Sequence, residues 1–161
     1  MRKTFRVRRI ISGGQTGADR GALDAAIQLG VEHGGYCPAG RRAEDGRIPE
    51  RFRLVETESS DYAVRTEKNV LSADGTLLIT RGAPTGGSAL TAALARKHDR
   101  ALLHLDLGSE REPVPIIREW IAARRIGCLN VAGPRESGCP GIAQDVRALL
   151  VAALSADRRV D

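Results

Sequence analysis

Aromatic residues are scarce in this chain, 3% of it: Phe5, Phe52, Tyr36, Tyr62 and Trp120. A core must therefore be aliphatic, and stacking platforms for single-stranded nucleic acid have little to be built from. The cysteines are Cys37, Cys128 and Cys139, an odd set without C-x-x-C spacing, which argues against a disulfide framework and a zinc ribbon and for free thiols. No apolar run approaches the roughly eighteen residues of a membrane helix, and the basic start Met1 to Arg6 leads into alternation rather than a secretory signal. A cytoplasmic location with no membrane partner is expected. No G-x-S-x-G elbow is present, and neither "GGQTG" nor "PTGGS" matches the dinucleotide fingerprint or the nucleotide P-loop. His33, His98 and His104 show no metal-ligand spacing, so no metal site and no catalytic set stand out.

What is present suits an ordinary globular protein. With 161 residues, 42% hydrophobic and 28% charged, a single domain over residues 1–161 is expected. The net charge of +5 comes from bases interleaved with acids. That pattern suits a small phosphorylated ligand better than a polyanion, so nucleic acid is a secondary candidate.

Periodicity predicts a strand at about Phe5 to Ser12 and a helix from Gly17 to Leu29, then a short strand near Glu32 to Tyr36. Residues 38–49 read as a loop and Phe52 to Glu56 as an extended piece. Ser59, Ser60 or Asp61 caps a helix reaching Ala73, and Asp74-Gly75 stops it before the strand Thr76 to Thr80. A helix to Lys97, a strand Ala101 to Leu107, a helix entered at Pro115, a strand Cys128 to Ala132 and a helix from Ile142 to Leu154 complete the alternation. Parallel neighbours need crossovers, so the expected fold is α/β: a three-layer Rossmann-like sandwich with a mainly parallel sheet and helices on both faces, strand order open.

Parallel strands end on one rim, so the loops "SGGQTGADR", "RGAPTGGSALT" and "AGPRESGCPG" should emerge together. Glycines let backbone N–H groups approach a ligand, and each following helix presents unpaired donors and a positive dipole end to an anion. The first loop carries Gly13, Gly14, Gln15, Thr16 and Gly17, and the second Thr85, Gly86, Gly87 and Ser88. Ser12, Thr16, Thr85 and Ser88 offer hydroxyls, for which helix capping is an equal use. Arg135 can bind phosphate with two donors. Arg41 and Arg42 can close over a ligand from the long loop, although a mixed-charge surface loop accounts for Arg42 as well. Glu44 and Asp45 could hold Mg²⁺ beside a phosphate or simply face solvent. Asp19 suits the dipole of its helix or a sugar hydroxyl. Asn69, sharing a helix face with Tyr62, Thr66 and Ala73, either bonds locally or faces the ligand rim.

Together "ISGGQTGADRGALDAA", "GGYCPAGRRAEDGRIP", "RTEKNVLSADGTLLIT", "TGGSALTAALA" and "LNVAGPRESGCPGI" resemble the family called putative molybdenum carriers. That family is a circularly permuted branch of the Rossmann-like superfamily containing the lysine-decarboxylase-like Lonely Guy proteins and the DNA-processing Smf proteins. The resemblance implies a nucleotide or the molybdenum cofactor as ligand and a homo-oligomer as assembly. It also implies ligand loops at Gly13 to Gly17 and Thr85 to Ser88, with Asn130, Gly133 and Arg135 on a third side. Thr91 stands where Lonely Guy enzymes carry a glutamate in G-T-x-x-E, so the implied phosphoribohydrolase activity lacks its carboxylate while phosphate binding is untouched. Lys68 and Lys97 read as solvent-facing, which leaves no lysine for pyridoxal phosphate. The implied role is a carrier of a phosphorylated ligand, with a nucleotide hydrolase or a nucleic-acid-binding module as alternatives.

Overall fold

The computed structural model describes residues 6–155. In chain order the elements are β1 (Arg9–Ile11), α1 (Ala18–Leu29), β2 (Glu32–Gly34), β3 (Tyr36–Cys37), β4 (Arg42–Ala43), β5 (Gly46–Arg47), β6 (Val55–Glu56), α2 (Tyr62–Ser72), β7 (Gly75–Thr80), α3 (Gly86–Lys97), β8 (Ala101–Asp106), α4 (Pro113–Arg124), β9 (Cys128–Ala132) and α5 (Ile142–Leu154). Five strands form one parallel sheet in the order β2-β1-β9-β7-β8. The first strand is shorter than its pattern suggests, and Phe5 lies outside the described residues. The strand expected at Glu32 to Tyr36 divides at Gly35, whose Cβ would collide with the Ser12 carbonyl oxygen.

Helices α1, α4 and α5 cover one face of the sheet, α2 and α3 the other. On the first face Ile10, Leu77, Ile79, Leu129 and Val131 meet Ala22 and Ala26 of α1, Ile117 and Ile121 of α4, and Val146 and Leu150 of α5. Each fully buried branched side chain there contributes about 1.5–3 kcal/mol. The small residues of α1 have a packing cause: a Cβ on Gly21 would collide with the Ala143 carbonyl of α5, so the two helices touch almost backbone to backbone. Asp61 caps α2 by accepting from Ala63 N at 3.0 Å. Asp74 then accepts from the Gly127 and Cys128 amides at 3.0 and 2.8 Å, pinning the turn before β7 to the start of β9.

Residues 38–49 are more ordered than their aperiodic sequence implies. A 3-10 turn at Ala39–Arg41 leads into the antiparallel pair β4–β5, and β3 runs parallel to β6. Cys37, Ala43, Ile48 and Phe52 bury against Leu23 of α1 as a small second core. Their uneven spacing hides them from any test of periodicity, because side chains and turns, not a long ladder, order the segment.

Helix α1 leads from β1 toward one end of the sheet, while α3 leads from β7 toward the other. The strand β9 lies between them, and the C-terminal edge there is the switch point at which open α/β sheets bind ligands. Among the described residues no helix is long and apolar enough to cross a membrane.

Candidate functional site

The three glycine-rich turns meet. A cavity of about 310 Å³ opens at the C-terminal ends of β1, β9 and β7. Gly13, Gln15 and Asp19 line it from the first turn; Thr85, Gly86, Gly87 and Ser88 from the second; Asn130, Gly133 and Arg135 from the third. Helix α2 closes the remaining side with Tyr62, Arg65, Thr66 and Asn69.

The second turn is open. Thr85 caps α3 in extended backbone without a side-chain hydrogen bond. Its carbonyl accepts from the Ser88 and Ala89 amides, while the Gly86 and Gly87 amides have no partner among the described residues. A Cβ on either glycine would meet no atom within 4 Å. Two unpaired donors at the positive end of a twelve-residue helix therefore face open space.

The first turn is closed on itself. Ser12 Oγ accepts from Gly14 N at 3.4 Å, Asp19 Oδ2 from Gln15 N at 3.1 Å, and Gln15 Oε1 from Thr16 N at 3.1 Å. The Ala18 amide donates to Pro134 O at 3.1 Å. The amides at 14, 15, 16 and 18 thus already serve the protein, whereas Gln15 Nε2, which lines the cavity, has no partner among the described residues. Asp19 is 6% exposed. Burial raises its carboxyl pKa, opposed by the charge of Arg65, whose Nη1 lies 3.7 Å from Oδ2, and by the Gln15 amide.

The glycines of this turn make room for protein. A Cβ on Gly13 would collide with the Arg65 guanidinium, and on Gly14 it would lie 2.9 Å from Ile48 Cδ1 at a φ of +76°. On Gly17, at a φ of +81°, it would lie 2.7 Å from Glu136 N. Gly14, Thr16 and Gly17 are accordingly not among the cavity's lining residues. Thr16 Oγ1 donates to Glu44 Oε1 and accepts from Glu136 N at 3.2 Å.

Arg41 is also displaced from the role of a closing arm. Its side chain is buried in the small second core, donating to Ile48 O at 3.1 Å and to Pro49 O and Phe52 O at 2.8 Å. Arg41→Met removes the donor from three carbonyls at once. It should cost about 3–5 kcal/mol, read as a lower urea midpoint.

The carboxylates considered for Mg²⁺ are engaged too. Glu44 accepts from Ser137 Oγ at 2.6 Å as well as from Thr16, and those bonds hold its pKa below the usual range. Asp45 pairs with Arg20 at 2.5 and 2.7 Å. Among the described residues no group of three His, Cys, Asp or Glu is placed to hold a metal ion. Asn69 reaches neither a local partner nor a free position, because it clamps Tyr36 through Tyr36 N to Oδ1 at 2.8 Å and Nδ2 to Tyr36 O at 2.9 Å. Asn130 donates to Thr76 Oγ1 at 3.2 Å, and Thr91 Oγ1 to Gly87 O at 2.9 Å.

Sequence reasoning missed Arg65. It stands at i+3 from Tyr62 and i−4 from Asn69, on the stripe already marked polar, and that spacing was the available signal. Its Nε has no partner among the described residues. The Arg42, Arg65 and Arg135 guanidiniums lie 4.5, 5.2 and 4.9 Å from the Tyr62 ring centre. Burial raises the Tyr62 phenol pKa, but the hydrogen bond from Arg42 and the surrounding charge outweigh it and hold it below its ordinary value. The mouth of the cavity is strongly positive.

The model of the circularly permutated YpsA SLOG family matches residues 10–154, nearly the whole described chain. The chain belongs to that family. A member-like solved structure, the 1.45 Å crystal structure titled putative molybdenum carrier protein from Syntrophus aciditrophicus SB, is 47% identical. The likeness covers 92% of this chain and 96% of that one, with a TM-score of 0.91. Among curated proteins none matches. Membership in the SLOG family agrees with the resemblance read from the motifs and with a ligand-binding role.

Proposed function

We propose that the cavity binds a phosphorylated small molecule, nucleotide-like or molybdopterin-type, with its phosphoryl group on the open N-terminus of α3. The observation that carries this reading is the pair of unpartnered amides at Gly86 and Gly87, facing a cavity that Arg65 and Arg135 make positive. Backbone donors at a helix start, hydroxyls at Thr85 and Ser88 and a guanidinium opposite are the ordinary components of phosphate recognition. The similar Syntrophus aciditrophicus protein is described as a putative molybdenum carrier, which supports a carrier role here. The donor set suits the phosphate of such a cofactor. No group of three His, Cys, Asp or Glu among the described residues is placed to ligate the metal.

Native mass spectrometry of freshly purified protein should show a bound phosphorylated compound. Arg135→Ala should weaken AMP binding by about 10- to 100-fold, the worth of a charged hydrogen bond of about 1.5–3 kcal/mol. Unchanged affinity in calorimetry would remove Arg135 from the site, and no binding of phosphorylated probes at all would remove the site.

A further inference from the structure

We propose that Gln15 and Arg65 form a second subsite, which takes a ring carbonyl oxygen of the ligand whose phosphoryl group sits on α3. The cavity then prefers a nucleotide-like molecule with an oxo group on its ring to one with an amino group there. This rests on the cavity being a phosphate site and adds what the far end of the ligand must offer.

Two donors on the β1 side of the cavity are buried and unsatisfied. Gln15 is 5% exposed, and its Oε1 accepts from the Thr16 and Glu44 amides at 3.1 and 2.9 Å. Backbone N–H groups bond to the oxygen of a side-chain amide and not to its nitrogen, so the orientation is fixed and Nε2 points away from both. Neither Gln15 Nε2 nor Arg65 Nε has a partner among the described residues, and both residues line the cavity. The fold holds them side by side. A Cβ on Gly13 would lie 2.8 Å from Arg65 Nε, and Asp19 Oδ2 accepts from Gln15 N at 3.1 Å while lying 3.7 Å from Arg65 Nη1. Either protonation state of Asp19 leaves both N–H groups as donors. A buried donor without a partner is costly, and a ligand atom that accepts from it recovers that cost.

Strand order says which part of the ligand arrives there. Strands β1 and β7 stand two spacings apart across β9, roughly 10 Å, and the two facing turns follow them. A ligand with its phosphoryl group on the α3 amides therefore meets Gln15 with a part about a sugar's length away, which in a nucleotide is the ring. A cavity of about 310 Å³ suits one molecule of that size. A carbonyl oxygen on the ring has two lone pairs for N–H donors, whereas an amino group in its place would set donor against donor.

Calorimetry on the full chain with AMP and IMP tests this, since the two carry the same phosphate and the same charge and differ by an amino against an oxo group on the ring. The wild type should bind IMP about tenfold more tightly than AMP. Gln15→Glu keeps an oxygen for the Thr16 and Glu44 amides and puts an acceptor where Nε2 stood, so it should remove the preference. Arg65→Lys keeps the charge beside Asp19 but loses Nε, and should reduce the preference. Equal affinities, or tighter AMP, in the wild type overturn the proposal without need of a variant. So does a preference for IMP that persists undiminished in both variants. Binding of neither nucleotide would instead overturn the phosphate site itself, and the second subsite with it.

Discussion

Gly87→Val is expected to melt at the same temperature with and without AMP, where the wild type should gain several degrees, while the unliganded variant stays as stable as the wild type. Gly87 is the second residue of α3, its φ is not positive, and a Cβ there meets nothing within 4 Å. The new Cβ therefore costs no backbone strain and meets no protein atom, and valine replaces the poorest interior helix former after proline. It does take up space in the cavity that Gly87 lines, beside two unpaired amides. A ligand at a hundred times its dissociation constant adds about 2.7 kcal/mol to stability, a rise of roughly 5–10 °C for a chain of this size. Losing all of that rise with an unchanged baseline melt would separate occlusion from misfolding. A valine variant that keeps the AMP shift would end the assignment of the phosphoryl group to α3. Arg135→Ala, by contrast, should lower affinity in a graded way, since the amides and Arg65 stay in place.

The convergence of the three turns was legible because it follows from strand direction. Once Ile10, Leu77 and Val131 are read as parallel strands, their following loops share a rim whatever the strand order. Asp61 as a cap and Asp74-Gly75 as a stop were legible because each acts on backbone within a few residues. The use made of each loop was not. "GGQTG" and "PTGGS" look alike as strings, yet Gly87 faces open space while Gly13, Gly14 and Gly17 each face protein. Glycine signals only that a side chain is unwelcome, and the intruder it would meet belongs to α2, to the segment after β5 or to the turn after β9. Arg41 shows the same limit: in sequence it is a surface arginine in a charged loop, and only the fold brings three carbonyls around it. Arg65 was hidden by the opposite error, a helical face drawn one residue too narrow.

Gly17→Ala is the sharpest test of that distinction. At its φ of +81° and ψ of −129° an L side chain is strained, typically by about 1–3 kcal/mol. The added Cβ would also press on the Pro134 carbonyl and lie 2.7 Å from Glu136 N, backbone atoms that cannot rotate aside. Overpacking of this kind adds about 1–3 kcal/mol, for a total of about 2–6 kcal/mol, a fall in melting temperature of roughly 5–20 °C. Gly82 supplies the control, since its φ is +85° and a Cβ there meets nothing within 4 Å. Gly82→Ala should therefore lose the strain alone, about 1–3 kcal/mol. The difference between the two melts measures the contact that seats the turn before α1 on the turn after β9, and with it the wall that carries Asp19. If both variants fall equally, the collision is relieved by a shift of the 134–136 backbone. The first turn would then be free to move and to release the amides that Asp19 and Gln15 now occupy.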